Sequence, residues 1–315
     1  MNPFYSHIGI DVSKDWLDLH VHESGHASRF PNTAKGHRQL VAFLAPLRCR
    51  RVVLEASGGY EKPAIAALVA ARLPVCCVQP QDPRNFARAL KIKAKTDALD
   101  ARLLARFAHD RSDLSPITCI DRTLESLRQL VVRRQQLVDQ QTMEKNHLDQ
   151  ATDKRIKKSI ARVLARLEKE ITVIEKEIDR LIRSDPALDA KARTVDQTQG
   201  VGPVTTAVLI ACLPELGRST PRQLNSLVGV APFNHDSGKF RGQRRISGGR
   251  AIVRNALYMA AMAASRANPV VRPFYQALRA RGLPHKSAIM ACIRKMLAYL
   301  NQRVAELMPV PSPTT

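Results

Sequence analysis

Aromatic residues are scarce in this chain of 315 residues: 4% in all, with a single tryptophan. The apolar fraction, 44%, is ordinary for a globular protein, so a sizeable core is available, and it must be mainly aliphatic. No apolar run approaches the ~20 residues that a membrane-spanning helix needs, and neither end carries a long basic amphipathic segment. The opening "MNPFYSHIGIDV" lacks the charged and apolar regions of a secretion signal, so a cytoplasmic protein is expected. The six cysteines form no CxxC pair, and the nine histidines show no ligand spacing, which argues against zinc. Most of the cysteines lie in apolar surroundings and read as reduced, buried small hydrophobes.

Acids are also few. Lys and Arg total 50 against 28 Asp and Glu, for a net charge of +22 and a pI near 10.3. Such an excess repels itself unless an anionic partner neutralises it, and nucleic acid is the leading candidate.

The first third of the chain alternates strand and helix signals. "HIGIDVS" is an apolar run ending at Asp11, "WLDLHVH" alternates, and "HASRFPN" follows a turn at Gly25. "AKGHRQLVAFLAPL" has helical spacing, "RRVVLEAS" is a β-branched run ending at Glu55, "YEKPAIAALVAARL" is an apolar helix, and "PVCCVQP" is a buried strand. From Asp82 the pattern is helical through Ala108. Three strands, then helix, strand, helix, strand and helix, describe an α/β domain with a mixed sheet. In the middle, apolar residues at Ile160, Leu164, Leu167, Ile171, Ile174, Ile178 and Leu181 step by alternating fours and threes, a coiled-coil seam. A looser helical arm runs from Leu124 to about Leu148, with polar "ATDKRIKK" between the two. An antiparallel hairpin and a dimerisation arm are both open. The last third is mainly α-helical with glycine punctuation, and the tail "VPSPTT" is expected to be disordered. The implied domains are 1–118, 119–184 and 185–315.

Against this basic background four acids stand out. If the strand after the first helix pairs with the first strand, Glu55 sits beside Asp11. Asp97 and Asp100, three apart, share one helical face. A helix packed across the strand ends would bring all four together, and converging carboxylates need cations among them. One or two Mg2+ ions fit, since magnesium takes oxygen ligands and a metal pair stabilises both oxygens of a phosphoryl transfer. Lys91, Lys93 and Lys95 could hold a phosphate backbone beside these acids. Solvated surface acids would give the same spacing, and Asp15, Asp18 and Glu61 are rivals nearby. Farther on, "NHDSGKFRGQRRISGGR" is a glycine-rich basic loop leading into a helix at about Ala251. Ser237 or Ser247 could attack phosphate there, with Lys239, Arg241, Arg244, Arg245, Arg250 and Arg254 to neutralise charge. A loop whose serines only hydrogen-bond phosphate would look alike.

"GIDVSKDWLDLHV", the stretch from "VVLEASGGYEKP" to "KTDALDARLLARFA", and "GVAPFNHDSGKFRGQRRISGGRAIVRNALYMAA" resemble the IS110-type transposases, themselves similar to Piv-type DNA invertases. The resemblance implies an RNase H-like domain of the RuvC kind whose DEDD tetrad maps onto Asp11, Glu55, Asp97 and Asp100. It also implies a nucleophilic serine in an AP…SG motif, matched by "APFNHDSG", hence Ser237, with Ser247 as fallback. It further implies a phosphoserine-linked DNA intermediate and an element-encoded guide RNA pairing with donor and target DNA. "GVGPVTTA" resembles the turn of a helix-hairpin-helix element, in which Gly200 and Gly202 would offer backbone amides to phosphate. The expected partners are therefore DNA, RNA and further copies of the chain, a dimer or tetramer joined through the arm, and no membrane. A metal-dependent junction endonuclease and a non-catalytic nucleic-acid binder are the rival functions.

Overall fold

The computed structural model describes residues 5–91, 97–233, 236–237, 240–241 and 245–307. Of 97–99, 233, 236–237, 240–241 and 245 it describes the backbone alone. The tail "VPSPTT" lies outside the described residues. The chain divides into two compact units, 1–121 and 122–315.

In the first unit, strands β1 (Ser6–Val12), β2 (Trp16–Val21) and β3 (Ala27–Pro31) form an antiparallel meander. Helix α1 (Ala34–Leu44) then crosses back, so that β4 (Cys49–Glu55) runs parallel to β1. Helix α2 (Lys62–Ala70) repeats the crossover to β5 (Val75–Val78). The sheet order is β3-β2-β1-β4-β5. Strand alternation sorts its two faces. Ile8, Ile10, Val12, Leu17, Leu19, Val52 and Leu54 point to one side, where they bury against Leu40 and Leu44 of α1 and Ala64, Ile65 and Leu68 of α2. Each fully buried Ile or Leu contributes about 1.5–3 kcal/mol of transfer free energy. Val53, Cys76 and Val78 point to the other side, onto Leu104, Phe107 and Ala108.

The continuous helix expected from Asp82 to Ala108 is two helices, α3 (Gln81–Ala89) and α4 (Asp97–Asp110). The first stops at Leu90, and Lys91 takes a left-handed φ of 59° that no helix continues. Nor are all the cysteines buried. Cys76, Cys212 and Cys292 are, Cys49 is half-buried, and Cys77 and Cys119 face solvent; none is in a disulfide.

The second unit opens with α5 (Arg122–Gln150) and α6 (Lys154–Ser184), folded back on each other about a short link capped by Asp153, whose carboxylate accepts from the Arg155 amide. An ion pair of 2.7 Å between Arg134 and Glu175, 41 residues apart, shows the antiparallel register. At the base of this hairpin, Leu127, Val131, Ile178 and Ile182 enter the core of the helices that follow. That core is centred on α8 (Pro203–Cys212), which is apolar all round and buried from Thr205 to Cys212. Around it lie α7 (Pro186–Asp196), α9 (Pro221–Val228), α10 (Ala251–Ala267), α11 (Val271–Ala280) and α12 (His285–Ala305). The described residues contain no helix long and apolar enough to cross a membrane.

Candidate active site and serine hairpin

Gly9 sets the geometry of the acidic end of the first unit. A Cβ there would overlap the Ala101 carbonyl oxygen and the Ala105 amide, so α4 lies directly on the β1 backbone. At the other end, the Arg51 guanidinium of β4 donates to the Ala108 and Ser112 carbonyls, at 3.4 and 2.9 Å. Helix α4 therefore runs opposite to β1 and β4, with its first turn over their carboxyl ends. Asp11 is two residues beyond Gly9 on the same face, about 7 Å along the strand, which matches the rise of four to five helical residues. Asp11 thus stands at the height of the turn from Asp97 to Asp100. Glu55 closes the neighbouring strand on that face, one step beyond the Ile10–Leu54 pair. Asp11, Glu55 and Asp100 are half-buried, whereas Asp97 is described by its backbone alone. Among the described residues, no group of three or more His, Cys, Asp or Glu side chains is arranged to hold a metal ion.

The rival acids have visible duties. Glu61 is 6% exposed, and its Oε2 accepts from the amides of Ser57 and Gly59 at 3.0 and 2.8 Å, which shapes the turn after Glu55. Asp18, opposite Asp11 in the β1–β2 register, is held by Arg29 through bonds of 2.7 and 3.0 Å. Asp15 is exposed. Of the lysines, Lys91 is exposed at the end of α3, and Lys93 and Lys95 lie outside the described residues. Gly9 and Arg51 were not singled out from the sequence. A lone glycine inside an apolar strand run is the signal that could have found the first, because such a glycine marks a close backbone approach.

The basic loop of the second unit carries short strands. β6 (Pro232–Phe233) pairs with β9 (Arg245–Ile246), and β7 (Asp236–Ser237) pairs with β8 (Phe240–Arg241). Apolar Phe233, Phe240 and Ile246, interleaved with polar residues, give the loop strand character that its glycine content hides. Ser237 pairs with Phe240 at the inner end. Lys239 and Arg244 lie outside the described residues, and Arg241 and Arg245 are described by backbone alone.

The base of this hairpin is rigid for a structural reason. Gly229 ends α9 with φ 75°, and Gly249 has φ 71°. A Cβ on either would overlap the other segment's backbone. Ser247, just before this interlock, is exposed. Arg250 donates to both Glu215 carboxylate oxygens at 2.6 Å and to the Cys212 carbonyl at 3.0 Å. Arg254 donates to the carbonyls of Val228 and Gly248, at 3.2 and 2.7 Å. Both guanidiniums therefore anchor the hairpin, and a phosphate would have to compete for them. Burial pushes the Glu215 carboxyl up, but the bonds from Arg250 and the nearby Lys191 charge outweigh it and leave the group below its ordinary range. Burial, with Arg218 nearby, lowers the Lys191 amine to about 8.

At the "GVG" turn, Gly200 has φ 100° and its Cα packs on Ala264 of α10, so its lack of a side chain serves packing. Gly202 is the N-cap of α8, offers no side-chain cap, and has open space where a Cβ would stand. The first amides of α8 are thus left without a side-chain acceptor from the cap residue. Asn268 holds the turn from behind, donating to the Gln199 carbonyl at 2.9 Å while accepting from the Val270 and Val271 amides.

A strongly basic chain suits a nucleic-acid partner, and the comparisons with known proteins put it in the class of DNA transposases and recombinases. Residues 8–155 match the IS110-type DEDD transposase model, described as a transposase. Residues 192–276 match the model of the transposase IS116/IS110/IS902 family. The pilin gene-inverting proteins of Moraxella bovis and Moraxella lacunata are each 26% identical over 309 residues, 93% of both chains. A 43.6 kDa protein of insertion element IS110 from Streptomyces coelicolor is 29% identical over 145 residues, 45% of this chain and 35% of that protein. The chain belongs to the IS110 family of transposases.

Proposed function

We propose that this transposase is a site-specific DNA recombinase that breaks and rejoins strands through a phosphoserine intermediate, with a carboxylate metal site in the first unit. The observation that carries the reading is the placement of the first turn of α4 over the strand ends bearing Asp11 and Glu55. The β3-β2-β1-β4-β5 order, with three antiparallel strands followed by two parallel ones, supports an RNase H-like domain of the RuvC kind. Asp11, Glu55, Asp97 and Asp100 are the residues that would hold Mg2+; an all-oxygen donor set suits that ion. When bound, the metal would supply Lewis-acid stabilisation of charge on the phosphate oxygens.

In the proposed step, Ser237 Oγ attacks the phosphorus, and the new O–P bond forms as a bridging P–O bond of the DNA breaks. The proton that serine gives up ends on the departing oxygen, which leaves as a strand-end hydroxyl. Because the linkage is exchanged and not hydrolysed, a departing strand end can reverse the step on a new partner. Phosphate charge is neutralised by Lys239, Arg241, Arg244 and Arg245. The uncapped start of α8 gives a further backbone contact that reads no bases. Choice of target by an element-encoded RNA rests on the family resemblance. The oligomer reading draws on the arm, where Ile160, Leu164, Leu167, Ile171 and Ile174 stay only half-buried against α5. A coiled coil with a second copy would cover them, and light scattering of an Ile171→Glu variant would show dissociation.

Labelled DNA carrying the recombination site tests the chemistry. Ser237→Ala should abolish the covalent protein–DNA adduct, Ser247→Ala should retain it, and Asp11→Asn should stop strand breakage while DNA binding persists. Cleavage that survives in Ser237→Ala would replace this reading with a hydrolytic nuclease. The full-length similarity to gene-inverting proteins favours inversion as a second reading of the same chemistry. A plasmid with two inverted sites distinguishes the products by restriction pattern.

A further inference from the structure

Helix α4 has a third side that the proposed chemistry does not use. Arg102, Arg106 and His109 recur at helical spacing and are exposed. Helix α4 packs on β2 as well as on β1 and β4, and these three side chains lie on its β2 side. With His20 of β2 and His22 of the turn that follows it, they line a cavity of about 810 Å³. His20 is the register partner of Gly9, so this cavity begins beside the point where α4 touches β1 and runs toward its carboxyl end. At that far end the imidazoles of His22 and His109 are 4.6 Å apart, and His109 meets His7 at 5.1 Å. Among the described residues these rings are not arranged to hold a metal ion. The acids present are already engaged: Glu23 pairs with His7 at 2.5 Å, and Asp110 pairs with His109 at 2.8 Å and Arg106 at 3.5 Å. Five groups able to donate to phosphate thus line a groove in which the acidic charge is largely spent.

We propose that this groove binds the phosphodiester backbone of the DNA strand that continues away from the strand-end carboxylates, with Arg102 and Arg106 as its cationic contacts and His20, His22 and His109 as hydrogen-bond donors. The inference rests on the reading of those carboxylates as the cleavage site. Three features support this occupant. The first is charge complementarity. The second is continuity, since the arginines lie one and two turns beyond the first turn of α4. The third is that no Phe, Tyr or Trp is among the cavity-lining residues, which favours backbone over base contact. Burial holds His20 below the ordinary imidazole range, with Arg102 adding to the effect, and burial and His109 do the same to His22. Near pH 7 these rings are therefore neutral donors, and the fixed charge comes from the arginines.

The test is equilibrium binding of the full-length protein to labelled duplex DNA over a salt series, with RNA of equal length as a parallel probe. Arg102→Ala with Arg106→Ala should weaken DNA binding on the order of tenfold at 0.1 M salt and flatten the log–log salt slope by about 1.8, two phosphate contacts' worth. Lys35→Ala with Arg38→Ala removes the same charge from exposed positions on α1, across the sheet, and should leave the slope unchanged. Arg102→Lys with Arg106→Lys should restore the slope, which separates lost charge from lost fold. An unchanged slope in the alanine pair, an equal loss in the α1 pair, or a loss confined to RNA would overturn the proposal. Repeating the series in Asp11→Asn separates the two ideas. If that variant still cleaves, the carboxylate reading fails, while the groove is judged by its own slope.

Discussion

Replacing Gly9 with alanine would place a methyl carbon 2.7 Å from the Leu104 carbonyl carbon, where ordinary contact begins at 3.4 Å, and closer still to the Ala101 oxygen and Ala105 nitrogen. All three are backbone atoms, so no rotamer change relieves the clash, and α4 must withdraw by about 0.7 Å or more. A gap of that size forfeits a quarter to a half of the dispersion energy along the contact. Here the contact involves Ala101, Leu104, Ala105, Phe107 and Ala108, all at most 1% exposed. We expect Gly9→Ala to cost about 3 kcal/mol, the upper part of the overpacking range. The single tryptophan, Trp16, lies on β2, so its fluorescence follows this unit and not the helical one. With a urea slope of about 2 kcal/mol/M, the midpoint should fall by roughly 1.5 M. Strand breakage, if it depends on the first turn of α4, should fall about 100-fold at urea-free equilibrium, because a misplacement near 1 Å costs that much. A midpoint within about 0.3 M of the parent would refute the reasoning, since α4 would then tolerate a side chain that the geometry forbids.

Three more outcomes follow from the second unit. Arg250→Ala should destabilise it by about 2 kcal/mol in thermal or urea unfolding followed by circular dichroism, since Glu215 loses two charge-assisted bonds; Arg250→Lys should restore only part, because an ammonium cannot reproduce the paired geometry. The Glu215 carboxyl, with its folded pKa below the unfolded value of 4.5, contributes stability that is fully present above about pH 5 and is lost as pH falls through the lower folded value. Glu215→Gln should therefore flatten the pH dependence of the unfolding midpoint below pH 5. Asn268→Ala should cost about 1–2 kcal/mol and weaken DNA binding, because it frees the turn at Gly200 and uncaps α11; unchanged amide exchange around Val201 would speak against that coupling.

Much of the first unit was legible because its strands are marked at both ends. Apolar and β-branched runs marked β1, β4 and β5, alternation marked β2, and the helix between them allowed the crossover that sets β4 beside β1. What escaped was the interruption at Lys91, since helical periodicity continues through "KIKAK" and no proline or glycine announces the break. The roles of Arg250 and Arg254 were also hidden. Clustered arginines look alike in sequence, and only the tertiary placement of Glu215, 35 residues away from Arg250, shows which are bound internally. The serine loop read as irregular because two-residue strands are too short to show a period. Asp11, Glu55 and Asp100 were singled out by residue type and spacing, but their common height on the sheet depends on Gly9, whose contribution lies in what it lacks.

The order of elements has a bearing on synthesis. By the time β5 has left the ribosome, every strand of the sheet is present, and so are Asp11 and Glu55. Until α4 follows, Val53, Cys76 and Val78 face water and two of the four acids do not yet exist. A nascent or truncated chain ending before residue 97 is therefore sticky and, under the proposed carboxylate site, inert as well, and the docking of one late helix would end both conditions together.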